Sequence, residues 1–261
     1  MTFPVVFHLL GRDVPAHPVM EAVAYAAGSQ LYFLLRRRRP RTERVPFEQM
    51  MWVLVGCVFG ALIGSKLLAW VESPIEYWNA RHDPAAWLGG KTIVGGLLGG
   101  WIGVEIAKKC LGLRRSTGDL FVFPLILGIA IGRIGCFLTG LPDHTYGVHT
   151  SLPWAVDFGD GPRHPTQLYE IGFLLLLGVA LYLRTGRPLR DGELFRLFLL
   201  GYLLFRFTIE FIKPSYKPWL GLSAIQVASL VGAAWCARSV MRRAQDPERL
   251  TAARTTAEAG T

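Results

Sequence analysis

Two arginines stand inside stretches apolar enough to cross a bilayer, Arg133 within residues 124–138 and Arg206 within residues 197–211. A guanidinium at membrane depth costs at least about 2.5 kcal/mol even on the permissive insertion scale, so such residues usually face a polar interior and act on something there. Arg206 and Glu210 are four apart on one helix face, a spacing that lets the pair neutralise itself and hold two helices together. Arg133 has no acid in its own stretch, so an anionic ligand or a partner on another helix has to offset its desolvation. The planar guanidinium fork donates two hydrogen bonds to a phosphate and keeps its charge when buried. A phospholipid headgroup is the anion already present at that depth.

Other groups could do chemistry beside them. Residues 140–147 are rich in turn formers and carry Asp143, His144 and Tyr146; His144 is either a proton acceptor or a solvated loop histidine. Residues 163–170 place Pro165 near a favoured first-turn position, and His164, Tyr169 and Glu170 there suit catalysis or structural hydrogen bonding equally. Gly95 and Gly96 belong to a glycine-rich stretch from Gly89 to Gly103 that serves close helix packing, ligand approach, or both.

The elements that must position these groups follow from composition. With 51% hydrophobic residues, 29 glycines and a mean hydropathy of +0.33, the chain reads as all-α, a polytopic integral membrane protein with about seven transmembrane helices. The stretches are roughly 18–35, 47–70, 92–107, 119–139, 166–183, 193–212 and 221–237. Residues 1–245 read as a single helical domain and 246–261 as a polar cytoplasmic tail.

The formal charge of +9 is topology rather than a nucleic-acid footprint. Arg36, Arg37, Arg38, Arg39, Arg41, Arg44, Lys108, Lys109, Arg114, Arg115, Arg184, Arg187, Arg190, Arg238, Arg242, Arg243, Arg249 and Arg254 follow the odd-numbered stretches. The other side has only Arg12, Arg81, Lys91, Arg163, Lys213 and Lys217. The positive-inside rule then predicts an external N-terminus and a cytoplasmic C-terminus. Residues 1–17 lack the charged start of a cleavable signal, which predicts that the first span is retained. Cys57, Cys136 and Cys236 fall within spans and Cys110 on the cytoplasmic side, so a disulfide framework is not expected. No internal repeat stands out, which weighs against an inverted-repeat transporter.

Counting about 1.5 Å of rise per residue from the external ends puts Tyr25, Arg133, Arg206 and Gln226 roughly 8–11 Å below the outer boundary, with Glu170 and Glu210 slightly shallower. Five helices therefore offer polar groups in the outer leaflet.

Taken together, these stretches resemble the prolipoprotein diacylglyceryl transferases of bacterial inner membranes. Residues 132–140 are similar to the family's Gly-Arg-x-Gly-Asn-Phe signature, 163–170 to its Arg-His-Pro segment, and 205–211 to its Arg-x-x-x-Glu-Phe helix. Gly95-Gly96-Leu97, Tyr25 and Gln226 resemble further family positions. The resemblance implies a multi-pass protein of the bacterial inner (plasma) membrane. The implied reaction transfers diacylglyceryl from phosphatidylglycerol to the lipobox cysteine of a prolipoprotein, with no metal or organic cofactor. Arg133 and Arg206 would hold the phosphate, with His144 or His164 as base and Tyr25, Gly95, Gly96, Glu170, Glu210 and Gln226 completing the substrate site. The chain departs from the pattern at Val94 for histidine, Cys136 for asparagine, and Leu141 for glutamate. A relative using another acceptor or lipid, and a protein that binds anionic phospholipid without turning it over, therefore stay open as alternatives.

Overall fold

The computed structural model describes residues 3–9, 11–40, 45–83, 87 and 89–244. The expected tail at 246–261, and Arg41, Arg44, Arg249 and Arg254 among the basic residues, lie outside the described residues.

The chain is mostly helical. Each of the seven apolar stretches is a helix: α1 (Ala16–Arg38), α2 (Phe47–Glu72), α4 (Ile93–Cys110), α5 (Val122–Thr139), α6 (Thr166–Thr185), α7 (Glu193–Ile209) and α8 (Ala224–Ala244), with a short α3 (Pro74–Asn79) after α2. Among the described residues, four segments are long and apolar enough to cross a membrane: Phe47–Glu72, Gly118–Thr139, Thr166–Thr185 and Ala224–Met241. The other three long helices carry more charge or are shorter: α4 ends in Lys108 and Lys109, and α7 spans 17 residues that include Arg196 and Arg206.

Two small antiparallel hairpins add to the helices and were not anticipated from the sequence. One pairs β1 (Val6–Leu9) with β2 (Arg12–Pro15), the other β3 (Val156–Asp157) with β4 (Pro162–Arg163). The first is pinned to the end of α5 by the Val5 N–H donating to the Leu138 carbonyl at 2.9 Å, and it delivers the chain directly into α1.

Glycines decide how closely the helices pack. Gly56, Gly60 and Gly64 of α2 face Gly103, Gly99 and Gly95 of α4, and a Cβ on any of the six would run into a backbone carbonyl opposite. The spacing of four keeps this seam on one face of each helix. Gly95 is thus taken up by packing, whereas a Cβ on Gly96 would find its nearest neighbours only at 3.9 Å. Between α1 and α5, a Cβ on Gly135 would lie 2.9 Å from the Met20 Cβ and 3.4 Å from the His17 backbone, so Gly135 permits that close crossing.

α7 is the central element: Phe198, Leu199, Tyr202 and Leu203 are fully buried and join Val94, Leu174 and Ile225 in one apolar cluster. Its start is fixed by Asp119, which accepts the Gly192 N–H at 2.6 Å and the Phe195 N–H at 2.9 Å. A carboxylate here satisfies amide groups that a helix start leaves without partners. Ser116 and Asp191 join the chain after α4 to the α6–α7 connection at 2.6 Å. A cavity of 510 Å³ lined by Leu35, Arg39, Asp119, Arg190 and Asp191 lies at this basic end of the bundle, away from the two arginines of interest.

Candidate functional site

Tyr202, Arg206 and Glu210 recur every fourth residue along α7 and the 3₁₀ turn that extends it (Glu210–Ile212), so a phenol, a guanidinium and a carboxylate stack on one face. Arg133 reaches the same place from α5 and Glu170 from the second turn of α6. Arg133 is 5% exposed, Arg206 4%, Glu170 1% and Glu210 2%.

Glu170 is the hub. Its Oε1 accepts from the Tyr202 hydroxyl at 2.6 Å and its Oε2 from Arg206 Nη1 at 3.1 Å, while Arg133 Nε lies 2.9 Å from the same Oε2. Arg206 Nη2 donates to Glu210 Oε2 at 3.1 Å, and Glu210 Oε1 accepts from Ser215. The two guanidinium groups thus meet two carboxylates, and the formal charge of the cluster is zero. Arg133 acquires its counterion from another helix, one of the two solutions its sequence context allowed.

The neutralisation leaves a donor to spare: Arg133 Nε is spent on Glu170 at 2.9 Å, whereas Arg206 Nε has no partner. Buried guanidinium N–H groups without an acceptor are costly, and an oxygen-rich anion is the group that satisfies them best.

Lys213 is a member of this neighbourhood that sequence reasoning missed. It is buried just beyond the turn after α7. Burial, reinforced by Arg206 and Arg133, pushes its amine down to about 7, with Glu210 and Glu170 acting against the shift. A basic residue one position past an apolar stretch carries no signal of this in the sequence, because the depression comes from what packs around it. Gln167 was missed as well: its Nε2 donates to Thr145 at 3.1 Å and its buried Oε1 is unpartnered. Its place three residues before Glu170, on the same helix face, was the available hint.

The remaining expected residues divide. Gln226 is fully buried, but both ends of its amide are engaged: Oε1 accepts from the Ser223 N–H at 2.9 Å and Nε2 donates to the Phe207 carbonyl at 3.2 Å. It ties α8 to the arginine-bearing helix. Tyr25 is 68% exposed on α1 and donates to Glu21 at 3.0 Å. His144 is exposed in a left-handed conformation (φ 54°), beside Tyr146. His164 Nδ1 lies 3.2 Å from the Tyr169 hydroxyl, and that hydroxyl accepts from Trp154 at 2.8 Å, so this histidine sits in a hydrogen-bonded loop. The same loop is braced by Arg163, which bonds Asp160 at 2.6 Å and lies over the Tyr146 ring at 4.7 Å.

The sequence model of the family described as "Prolipoprotein diacylglyceryl transferase" matches residues 4–241. This chain belongs to that family. Among similar relatives, the phosphatidylglycerol–prolipoprotein diacylglyceryl transferase of Nitratidesulfovibrio vulgaris strain Hildenborough is 37% identical over 196 residues, covering 70% of this chain and 71% of the relative. The protein of the same name from Bordetella parapertussis is 34% identical over 217 residues, covering 77% and 79%. That from Methylococcus capsulatus is 30% identical over 231 residues, covering 82% and 84%. For a prolipoprotein diacylglyceryl transferase family member, the position of Val94 is informative: the residue is 1% exposed in the same apolar cluster as Tyr202, so no proton-accepting group stands there. Cys136 is buried and receives a contact from Arg133 Nη1 at 3.7 Å.

Proposed function

We propose that this protein transfers the diacylglyceryl group of phosphatidylglycerol to the lipobox cysteine of prolipoproteins. In this reading it is a single helical domain with seven spans in the bacterial inner membrane, N-terminus outside and C-terminus in the cytoplasm. The observation that carries the reading is the convergence of Arg133 and Arg206 on Glu170, with the buried Arg206 Nε left for an acceptor.

The geometry suits the chemistry. A thiolate sulfur bonds to a glycerol carbon while the carbon–oxygen bond to phosphate breaks, and the departing phosphate gains negative charge. Fixed donors aimed at that developing charge in a dry site lower the barrier without reorganising. Arg133 and Arg206 fill that role, and Glu170 with Tyr202 keeps both forks oriented before the lipid arrives. Lys213, whose amine is pushed down to about 7, takes up a proton when a further anion enters and so answers the extra charge. Glu210 holds Arg206 from the other side, and Gln226 fixes the helix that carries it.

Purified protein given labelled phosphatidylglycerol and a lipobox peptide tests this directly. A thioether product is expected. Bound lipid with no product would instead identify a phospholipid-binding relative, a reading that the apolar setting of Val94 favours over a transferase with the usual base.

A further inference from the structure

Outside the arginine cluster, a second constellation stands at the outer end of α5. A ring nitrogen of His17, Cys136 Sγ and a carboxylate oxygen of Asp143 all lie within 4.8 Å of one another. Three separate segments bring them there. His17 opens α1, Cys136 is in the last turn of α5, and Asp143 closes the 3₁₀ turn Leu141–Asp143. Two glycines make the approach possible: Gly135 lets α1 cross α5 at His17, and Gly140, at φ 71°, turns the chain after α5 into that 3₁₀ turn.

The Cys136 thiol is hydrogen-bonded to the Asp143 carboxylate through a proton that an ion would displace, while the histidine stands beside the pair as a further ligand would. His17 Nδ1 is 3.4 Å from Asp143 Oδ1, yet it makes no hydrogen bond and is buried without a partner. A nitrogen and an oxygen bound to one tetrahedral zinc at 2.0–2.2 Å would stand about 3.3–3.6 Å apart without pointing at each other. The cluster therefore needs side-chain shifts of about an ångström to close on an ion. Its donors also select the ion: an imidazole and a thiolate suit zinc, whereas magnesium and calcium want oxygen ligands. A thiolate and a carboxylate would neutralise a divalent cation. Outer contacts of the usual kind are in place, with Thr145 bonding the other oxygen of Asp143 and Arg133 Nη1 directed at the Cys136 sulfur.

We propose that His17, Cys136 and Asp143 hold a zinc ion whose fourth position binds the acceptor cysteine as a thiolate; the acceptor half of this inference rests on the transferase reading above. Three protein ligands with an open fourth position is the arrangement of a catalytic zinc. A thiol that coordinates zinc gives up its proton, so the ion generates the nucleophile although Val94 offers no base. The proton leaves to solvent past the partly exposed His17. The zinc-bound sulfur then forms its bond to the glycerol carbon as the carbon–oxygen bond breaks and the electron pair departs on the phosphate. Because Arg133 contacts both Cys136 and Glu170, the thiolate and the phosphate would be held on either side of one guanidinium.

The full-length protein, stripped with a chelator and titrated with zinc alone, should bind one equivalent by elemental analysis. Cobalt in its place should show a sulfur-to-metal absorption band. A lipobox peptide should intensify that band, and the same peptide with serine for cysteine should not. Cys136→Ala and His17→Ala should lose the ion, Cys136→His should regain it, and the helical circular-dichroism signal and thermal unfolding of each variant serve as the check on folding. No zinc uptake by wild-type protein, or uptake unchanged in folded Cys136→Ala, overturns the site. Diacylglyceryl transfer that proceeds undiminished after metal removal overturns its role in thiol activation while leaving the transferase reading intact. Zinc and peptide binding without transfer would sustain the metal–thiol site and remove the transferase reading instead.

Discussion

Replacing Glu170 with glutamine isolates the electrostatics of the site. The native cluster balances Arg133 and Arg206 against Glu170 and Glu210, so Glu170→Gln leaves one uncompensated positive charge among groups less than 6% exposed. The amide oxygen still accepts from one neighbour, but the amide N–H₂ now confronts a guanidinium donor. Removing one partner of a buried ion pair typically costs about 3–5 kcal/mol. At roughly 2–4 °C per kcal/mol for chains of this size, the unfolding midpoint in neutral detergent should fall by roughly 6–20 °C. The sign of the residual charge then makes a second, sharper expectation. Phosphatidylglycerol should restore much of the loss, because its phosphate replaces the missing carboxylate, and a ligand at 100 times its Kd adds about 2.7 kcal/mol. Phosphatidylcholine, with the same phosphate but a cation of its own, should restore less. Arg133→Gln leaves the opposite imbalance, and anionic lipid should not rescue it. Thermal unfolding of the three proteins in mixed micelles decides the matter. Equal rescue of both variants by phosphatidylglycerol, or a Glu170→Gln protein as stable as the wild type, would refute the view that this cluster is an anion site balanced by Glu170.

Lys213 gives a pH signature: with its amine at about 7 in the fold against the ordinary 10.5, the folded state binds fewer protons than the unfolded between those values. Stability contributed through this group therefore rises with pH from about 7 to about 10.5. Lys213→Met should raise the unfolding midpoint most below pH 7 and lose that advantage by pH 10; a pH-independent gap would argue against a depressed amine. For the same reason, phosphatidylglycerol affinity should weaken as pH rises above 7 in the wild type and change less in the variant, as read by vesicle binding. Gly99→Ala drives a methyl into the Gly60 carbonyl and should cost about 1–3 kcal/mol while leaving lipid affinity unchanged, since neither helix of that seam carries the arginines. Asp119→Ala strands the Gly192 and Phe195 N–H groups and should cost about 1–3 kcal/mol in thermal unfolding, without the lipid-dependent rescue seen for Glu170→Gln.

Hydropathy alone located six of the seven helices to within about three residues, because a run of apolar side chains states its own solvent preference; the stretch read at 166–183 is α6 at Thr166–Thr185, whereas the last, read to 237, runs on to Ala244. The same run made Arg133 and Arg206 conspicuous, and the four-residue spacing made the Arg206–Glu210 pair legible, since i and i+4 share a face in any helix. Glu170 as the hub between both arginines was not legible: three helices must be rotated correctly about their axes, and no local pattern fixes how α5, α6 and α7 face one another. Tyr25 and Gln226 illustrate the same limit. One turns to the exposed flank of α1 and the other spends its amide on backbone groups. His17 escaped notice entirely, since it is 119 residues from Cys136 in sequence, and only the crossing permitted by Gly135 makes them neighbours. The sequence by itself determined which segments are helical, where along each helix a polar group stands and that two cations needed an anion. Tertiary structure decided which groups meet, because depth is set along a helix by its rise, whereas facing is set by packing between helices.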